Sequence, residues 1–181
     1  MDLEKVFKLL NQEFSKSKID YALIGGLALS FAGYQRMTYD IDFMVLLKDQ
    51  NELDRIMVGF GYQRLYRSEN VANYSHSLKA LGQVDFLFAR RTYSLLMLQR
   101  AHVKDVFGHS MKVIRPEDLI GLNVQSSSND STRFAQDWAD IEEIFKVCSG
   151  KLDLNLIKEY FQVFNREDDF DRIVKKYHVV E

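Results

Sequence analysis

Asp40 and Asp42 stand two residues apart in "YDIDFMVLL", and Asp85 is the lone charge in "GQVDFLFA". In an extended strand, residues i and i+2 share a face. The two carboxylates of 40–47 therefore lie side by side, with Met44 and Leu46 continuing their face and Ile41, Phe43, Val45 and Leu47 filling the other. Both faces are apolar, as in an interior strand of a covered sheet. Two carboxylates placed together there repel each other and lose solvation, so a cation must compensate. A hard divalent ion with oxygen ligands suits that task. An exposed strand end, or an ion pair with Arg36, is the structural alternative.

The D-x-D spacing alone carries little weight in a chain with sixteen aspartates. A second pair, Asp169 and Asp171 in "REDDFDRIVKK", sits in a polar helical context and reads as surface charge. Asp85 changes the balance. If its strand pairs beside 40–47, it completes a three-carboxylate cluster of the kind that clamps two metal ions in phosphoryl transfer; pairing with Arg90 or Arg91 is the other reading. Gly25-Gly26, between an apolar strand and a helix, lets backbone approach a ligand and offers free N–H donors to phosphate. The order carries the weight: strand, Gly-Gly, short helix, D-x-D strand, then a lone Asp in a later strand.

Behind these residues the patterning predicts an amphipathic helix over 3–14 with Leu3, Val6, Phe7, Leu10 and Phe14 on one face. Strand 21–24 runs into a short helix closed by Gly33. Strand 40–47 follows, with Asp49 as N-cap of a helix that Gly59 and Gly61 end. Residues 62–90 read as a β meander with turns at "SEN" and "LG". A helix over 92–101 and strands near 102–106 and 110–114 come next. From Pro116 helical patterning takes over. "SSSNDS" (126–131) reads as a linker, and Phe134, Trp138, Ile141, Phe145 and Cys148 form one apolar seam. Asp153 starts a further helix, and a last one covers 167–177. The expected organisation is an α/β core over 1–115 and a helical subdomain, 116–181, packed on it.

Bulk properties narrow the class. At 181 residues with 46% hydrophobic content, the chain can bury one core or a core plus an appendage. A net charge of −2 argues against a general polyanion binder, and a single cysteine, Cys148, rules out an intrachain disulfide framework and fits a reducing compartment. No signal peptide or membrane span is evident, so a cytoplasmic location is expected. His76, His102, His109 and His178 show no paired metal spacing. Tyr62, Tyr66 and Tyr74 could stack a base, although cross-strand packing is the default for strand aromatics.

The ordered set resembles the nucleotidyltransferase superfamily with the DNA polymerase β-like fold, and within it small bacterial proteins related to AbiEii toxins. "IGGLALSFAGYQRMTYDID" carries the likeness specifically, while "RPEDLIGL" and "RFAQDWADIEEI" carry it loosely. The resemblance implies an α/β (α+β) fold: a mixed sheet flanked by helices, plus a helical carboxy-terminal part. It implies Mg²⁺, held as a two-metal site by Asp40, Asp42 and Asp85, with Asp85 also activating the acceptor hydroxyl. It places a nucleoside triphosphate at Gly25 and Gly26, with Arg36 on phosphate or holding the loop. The implied partners are that triphosphate, an acceptor that is RNA, protein or a small molecule, and an antitoxin protein in a toxin–antitoxin or phage-defence setting. Asp137 and Asp140 match the later acidic segment but read as a solvated helix face. Two positions depart from the family pattern: Leu27, where many active members have Ser or Thr, and Asn123, where toxin-like members have Lys. They motivate the alternative of a non-catalytic nucleotide-binding or regulatory module. A metal-dependent glycosyltransferase shares the D-x-D chemistry and ranks last.

Overall fold

A computed structural model describes residues 1–177; His178 lies outside them. The chain divides into two compact units, one of Met1–Leu27 and Met37–Ile114, the other of Ala28–Arg36 and residues from 115 onward.

The first unit is built on a seven-stranded mixed sheet. Its strands are β1 (Tyr21–Ile24), β2 (Asp40–Leu46), β3 (Gln63–Arg67), β4 (Val71–Ser75), β5 (Gln83–Ala89), β6 (His102–Val106) and β7 (His109–Val113), in the spatial order β3-β4-β5-β2-β1-β7-β6. β2 and β5 run parallel at the centre, and β1 pairs antiparallel with β2. Helices α1 (Leu3–Lys16), α3 (Gln50–Gly59) and α4 (Thr92–Arg100) belong to the same unit. Phe7 and Phe14 of α1 meet Phe43 edge-on at 5.9 and 6.0 Å, and Phe43 stacks on Phe86 of β5 at 5.8 Å. Tyr74 of β4 joins this aromatic layer and donates its hydroxyl to Asp54 of α3 at 2.9 Å. One sheet face is thereby closed by α1 and α3. Because β2 and β5 alternate, the other face receives Asp40, Asp42 and Asp85.

The helical expectations for this unit hold closely, with two local differences. β2 ends at Leu46, and residues 47–49 form a single 3₁₀ turn. Asp49 precedes α3 but makes no side-chain capping bond, and burial raises its carboxyl.

Helix α2 (Gly25–Ala32) starts in the first unit and ends in the second. The second unit otherwise consists of α5 (Pro116–Asn129), α6 (Phe134–Val147), α7 (Leu154–Val163) and α8 (Glu167–Tyr177). Pro116 occupies the first helical turn, and Asp153 caps α7 by accepting from the Leu156 amide at 3.1 Å. The serine run is not a linker. Ser126–Asn129 complete α5, with Ser127 and Ser128 returning their hydroxyls to the Asn123 and Val124 carbonyls at 2.8 and 2.6 Å. The apolar seam of α6 also differs from expectation at its start: Ile141, Phe145 and Cys148 are buried, whereas Phe134 is 41% exposed. Phe134 instead lies parallel to Trp138, with the Arg166 guanidinium over both rings at 5.2 and 5.5 Å.

No helix among the described residues is long and apolar enough to cross a membrane.

Candidate active site

Parallel pairing of β2 with β5 sets Asp42 directly opposite Asp85, and Asp40 opposite Gln83. Registry thus does what the two sequence segments could only suggest. Each of Asp40, Asp42 and Asp85 offers a carboxylate oxygen, and these oxygens all lie within 4.8 Å of one another. All three residues are partly exposed, so the cluster faces accessible space.

Neighbouring donors orient the acids. Thr38 donates its hydroxyl to Asp40 Oδ1 at 2.7 Å. Gln83 Nε2 reaches both oxygens of Asp85 at 3.2 and 3.1 Å, and the Asn73 side chain also hydrogen-bonds Asp85. Burial pushes the Asp85 carboxyl above its ordinary value; the Asn73 and Gln83 bonds oppose this, and the charge on Asp40 adds to it.

Gly25 closes one side of the cluster. Its φ of +64° falls in the left-handed region. A β-carbon there would sit 2.1 Å from Asp42 Oδ2. The Asp42 carboxylate therefore rests against backbone that only glycine can supply, at the positive end of α2. The three acids fit a divalent cation.

Arg36 lies in the other unit, where it pairs with the Asp140 carboxylate at 3.1 Å. Asp137 and Asp140 are each 1% exposed, which overturns their reading as a solvated face. Their charges are met instead by Arg133, Arg36 and Gln136, so the helix could turn them inward. Three residues of the site went unrecognised in the sequence. Gln83 precedes Asp85 by two in one strand and so shares its face, a signal the sequence carries, and Thr38 precedes Asp40 by two just outside β2. Asn73 joins only through the pairing of β4 with β5, which no local pattern announces.

The family described as nucleotidyl transferase of unknown function (DUF2204) matches residues 95–178. Several solved structures are similar, three of them as follows. The antibiotic-resistance factor ANT(2'')-Ia superposes with a TM-score of 0.65 at 13% identity, over 98% of this chain and 99% of that one. The lincomycin-bound lincosamide antibiotic adenylyltransferase LnuA gives 0.57 at 14%, over 79% and 96%. An antigenic nucleotidyltransferase-like protein from Paracoccidioides brasiliensis gives 0.60 at 19%, over 96% and 92%. Ribulose bisphosphate carboxylase of Methanocaldococcus jannaschii is 25% identical over 130 residues, which is 64% of this chain and 30% of that protein. The chain thus spans less than a third of that relative, too small a share to bring its activity across.

Proposed function

The chain has the fold of the nucleotidyltransferase superfamily, and on that premise we propose that it moves a nucleoside monophosphate from a nucleoside triphosphate to an acceptor hydroxyl. The observation that carries this reading is the convergence of Asp40, Asp42 and Asp85 beside a glycine that admits no side chain.

In this reading Asp40, Asp42 and Asp85 hold Mg²⁺, which when bound neutralises charge on the phosphates. The amides of Gly25 and Gly26, at the start of α2, face the triphosphate. Asp85 takes the proton of the acceptor hydroxyl as its oxygen attacks the α-phosphorus. The new O–P bond forms, the bond from the α-phosphorus to the bridging oxygen breaks, and pyrophosphate leaves with the electron pair. Arg36, held by Asp140, is proposed as a phosphate contact or loop anchor. The acceptor is RNA, a protein side chain or a small molecule, and antibiotics named with the similar structures support the last. The proposed setting is cytoplasmic, as the toxin of a toxin–antitoxin or phage-defence pair.

The test is incubation with each labelled triphosphate, Mg²⁺ and cell extract. The wild type transfers label, and Asp42→Asn and Asp85→Asn lose about 100-fold or more; equal transfer by the variants rejects the assignment. Leu27 and Asn123 favour a second reading, a non-catalytic nucleotide-binding module. That reading expects Mg²⁺-dependent thermal stabilisation by a triphosphate without turnover.

A further inference from the structure

Of the three tyrosines in the β meander, two are consumed by packing. Tyr62 is 5% exposed and donates to the Leu81 carbonyl at 2.9 Å, and Tyr74 is fully buried against Asp54. Tyr66 is 56% exposed. Its orientation comes from an irregularity: Arg64 opposes Tyr74, yet it is Tyr66, not Leu65, that opposes Asn73, and Arg67 that opposes Ala72. This is a β-bulge, one extra residue on β3. Without it Tyr66 would turn to the face covered by α3. With it, Tyr66, Asn73, Asp85 and Asp42 stand in one cross-strand row.

The same slip removes positive charge from that row. Arg64 and Arg67 are the only cations in β2, β3, β4 and β5. Both are drawn to the opposite side, by Asp54 at 2.8 and 3.9 Å and, for Arg67, by Asn51 at 2.7 Å. What lies beyond Asp85, on the side away from Gly25, is therefore uncharged amide, then an exposed aromatic ring. At about 4.8 Å per strand, the Tyr66 and Asp85 backbones are roughly 10 Å apart, which leaves room for one substituted ring between them. A nucleic-acid track would pair its stacking aromatics with cations on the same surface, and among the described residues strands β2, β3, β4 and β5 offer none on this face.

We propose that Tyr66 and Asn73 form the acceptor platform, and that the acceptor is a non-anionic, hydroxyl-bearing small molecule whose ring stacks on Tyr66 while its hydroxyl meets Asp85. This rests on the transfer reading above. An acceptor on the β4 side approaches the α-phosphorus from across the acids, opposite the glycine turn.

The experiment uses the full chain, labelled triphosphates and Mg²⁺ with cell extract separated into small-molecule filtrate, RNA and protein. Label is expected in the filtrate. Tyr66→Ala is expected to raise the half-saturating filtrate concentration about tenfold, with the triphosphate KM within about twofold and Tyr66→Phe close to wild type. A mixed-sequence RNA 20-mer, followed by fluorescence anisotropy, is expected not to bind saturably. Label on RNA or protein, or salt-sensitive binding of the 20-mer, overturns the acceptor class. An unchanged filtrate requirement in Tyr66→Ala overturns the platform. No label in any fraction from the wild type removes the transfer reading itself, which separates that failure from the other two.

Discussion

Gly25 answers to two constraints at once, a left-handed backbone and a carboxylate where its side chain would be. Gly25→Ala should cost about 2–4 kcal/mol in thermal unfolding, combining the left-handed penalty with displacement of Asp42. It should also abolish any Mg²⁺-dependent shift in melting temperature. Gly59 is the control. It ends α3 with open space around its α-carbon, so Gly59→Ala should be neutral or stabilising by up to about 1 kcal/mol. At this scale much was legible beforehand. Asp40 and Asp42 announce themselves by spacing in an apolar strand, and Asp85 by its isolation. Asn73 was not legible, because its place beside Asp85 depends on which strands pair and in what register.

Elements show where local pattern suffices and where it fails. Strand and helix spans follow their periodicity and caps, so most boundaries were readable. The serine run misleads because serines favour loops on average, yet Ser127 is buried and accepts from Arg166 at 2.8 Å, so tertiary packing accompanies an α5 that runs to Asn129. Asp137 and Asp140 mislead because charged residues are presumed exposed: Arg133 lies only four residues before Asp137, whereas Arg36, the cation of Asp140, comes from distant sequence. Two measurements probe element packing. Gly121 of α5 would place a β-carbon 2.7 Å from the Tyr160 ring of α7, so Gly121→Ala should destabilise by about 1–3 kcal/mol despite its better helix propensity. Glu52 of α3 is held down to about 2 by Arg55 and by Ser17, the residue that ends α1. A lowered carboxyl contributes stability above its ordinary value of 4.5, and that contribution fades as pH falls from there toward 2. Glu52→Gln should therefore lower the melting temperature near neutral pH and flatten its acid decline over that window.

Across the whole molecule, the second unit is discontinuous. Residues 28–36 contribute the buried Ala28 and Leu29, the Ala32 carbonyl that accepts from Cys148 at 3.4 Å, and the Arg36 partner of Asp140. Arg36→Gln should destabilise this unit by about 2–4 kcal/mol, because Asp140 stays buried without its cation. Adding Asp140→Asn should recover part of the loss, which unfolding curves of the single and double variants would reveal. During synthesis, the segment ending at Arg36 leaves the ribosome about 80 residues before the helices that receive it, a wait of roughly 4–16 s at ordinary elongation rates. Throughout that interval Ala28 and Leu29 wait for α5, α6, α7 and α8 of their own unit, although the sheet strands on either side of them in the chain are already being laid down. Nascent chains stalled shortly before residue 115 would thus carry a complete α2 whose apolar Ala28 and Leu29 still lack the later helices of their unit.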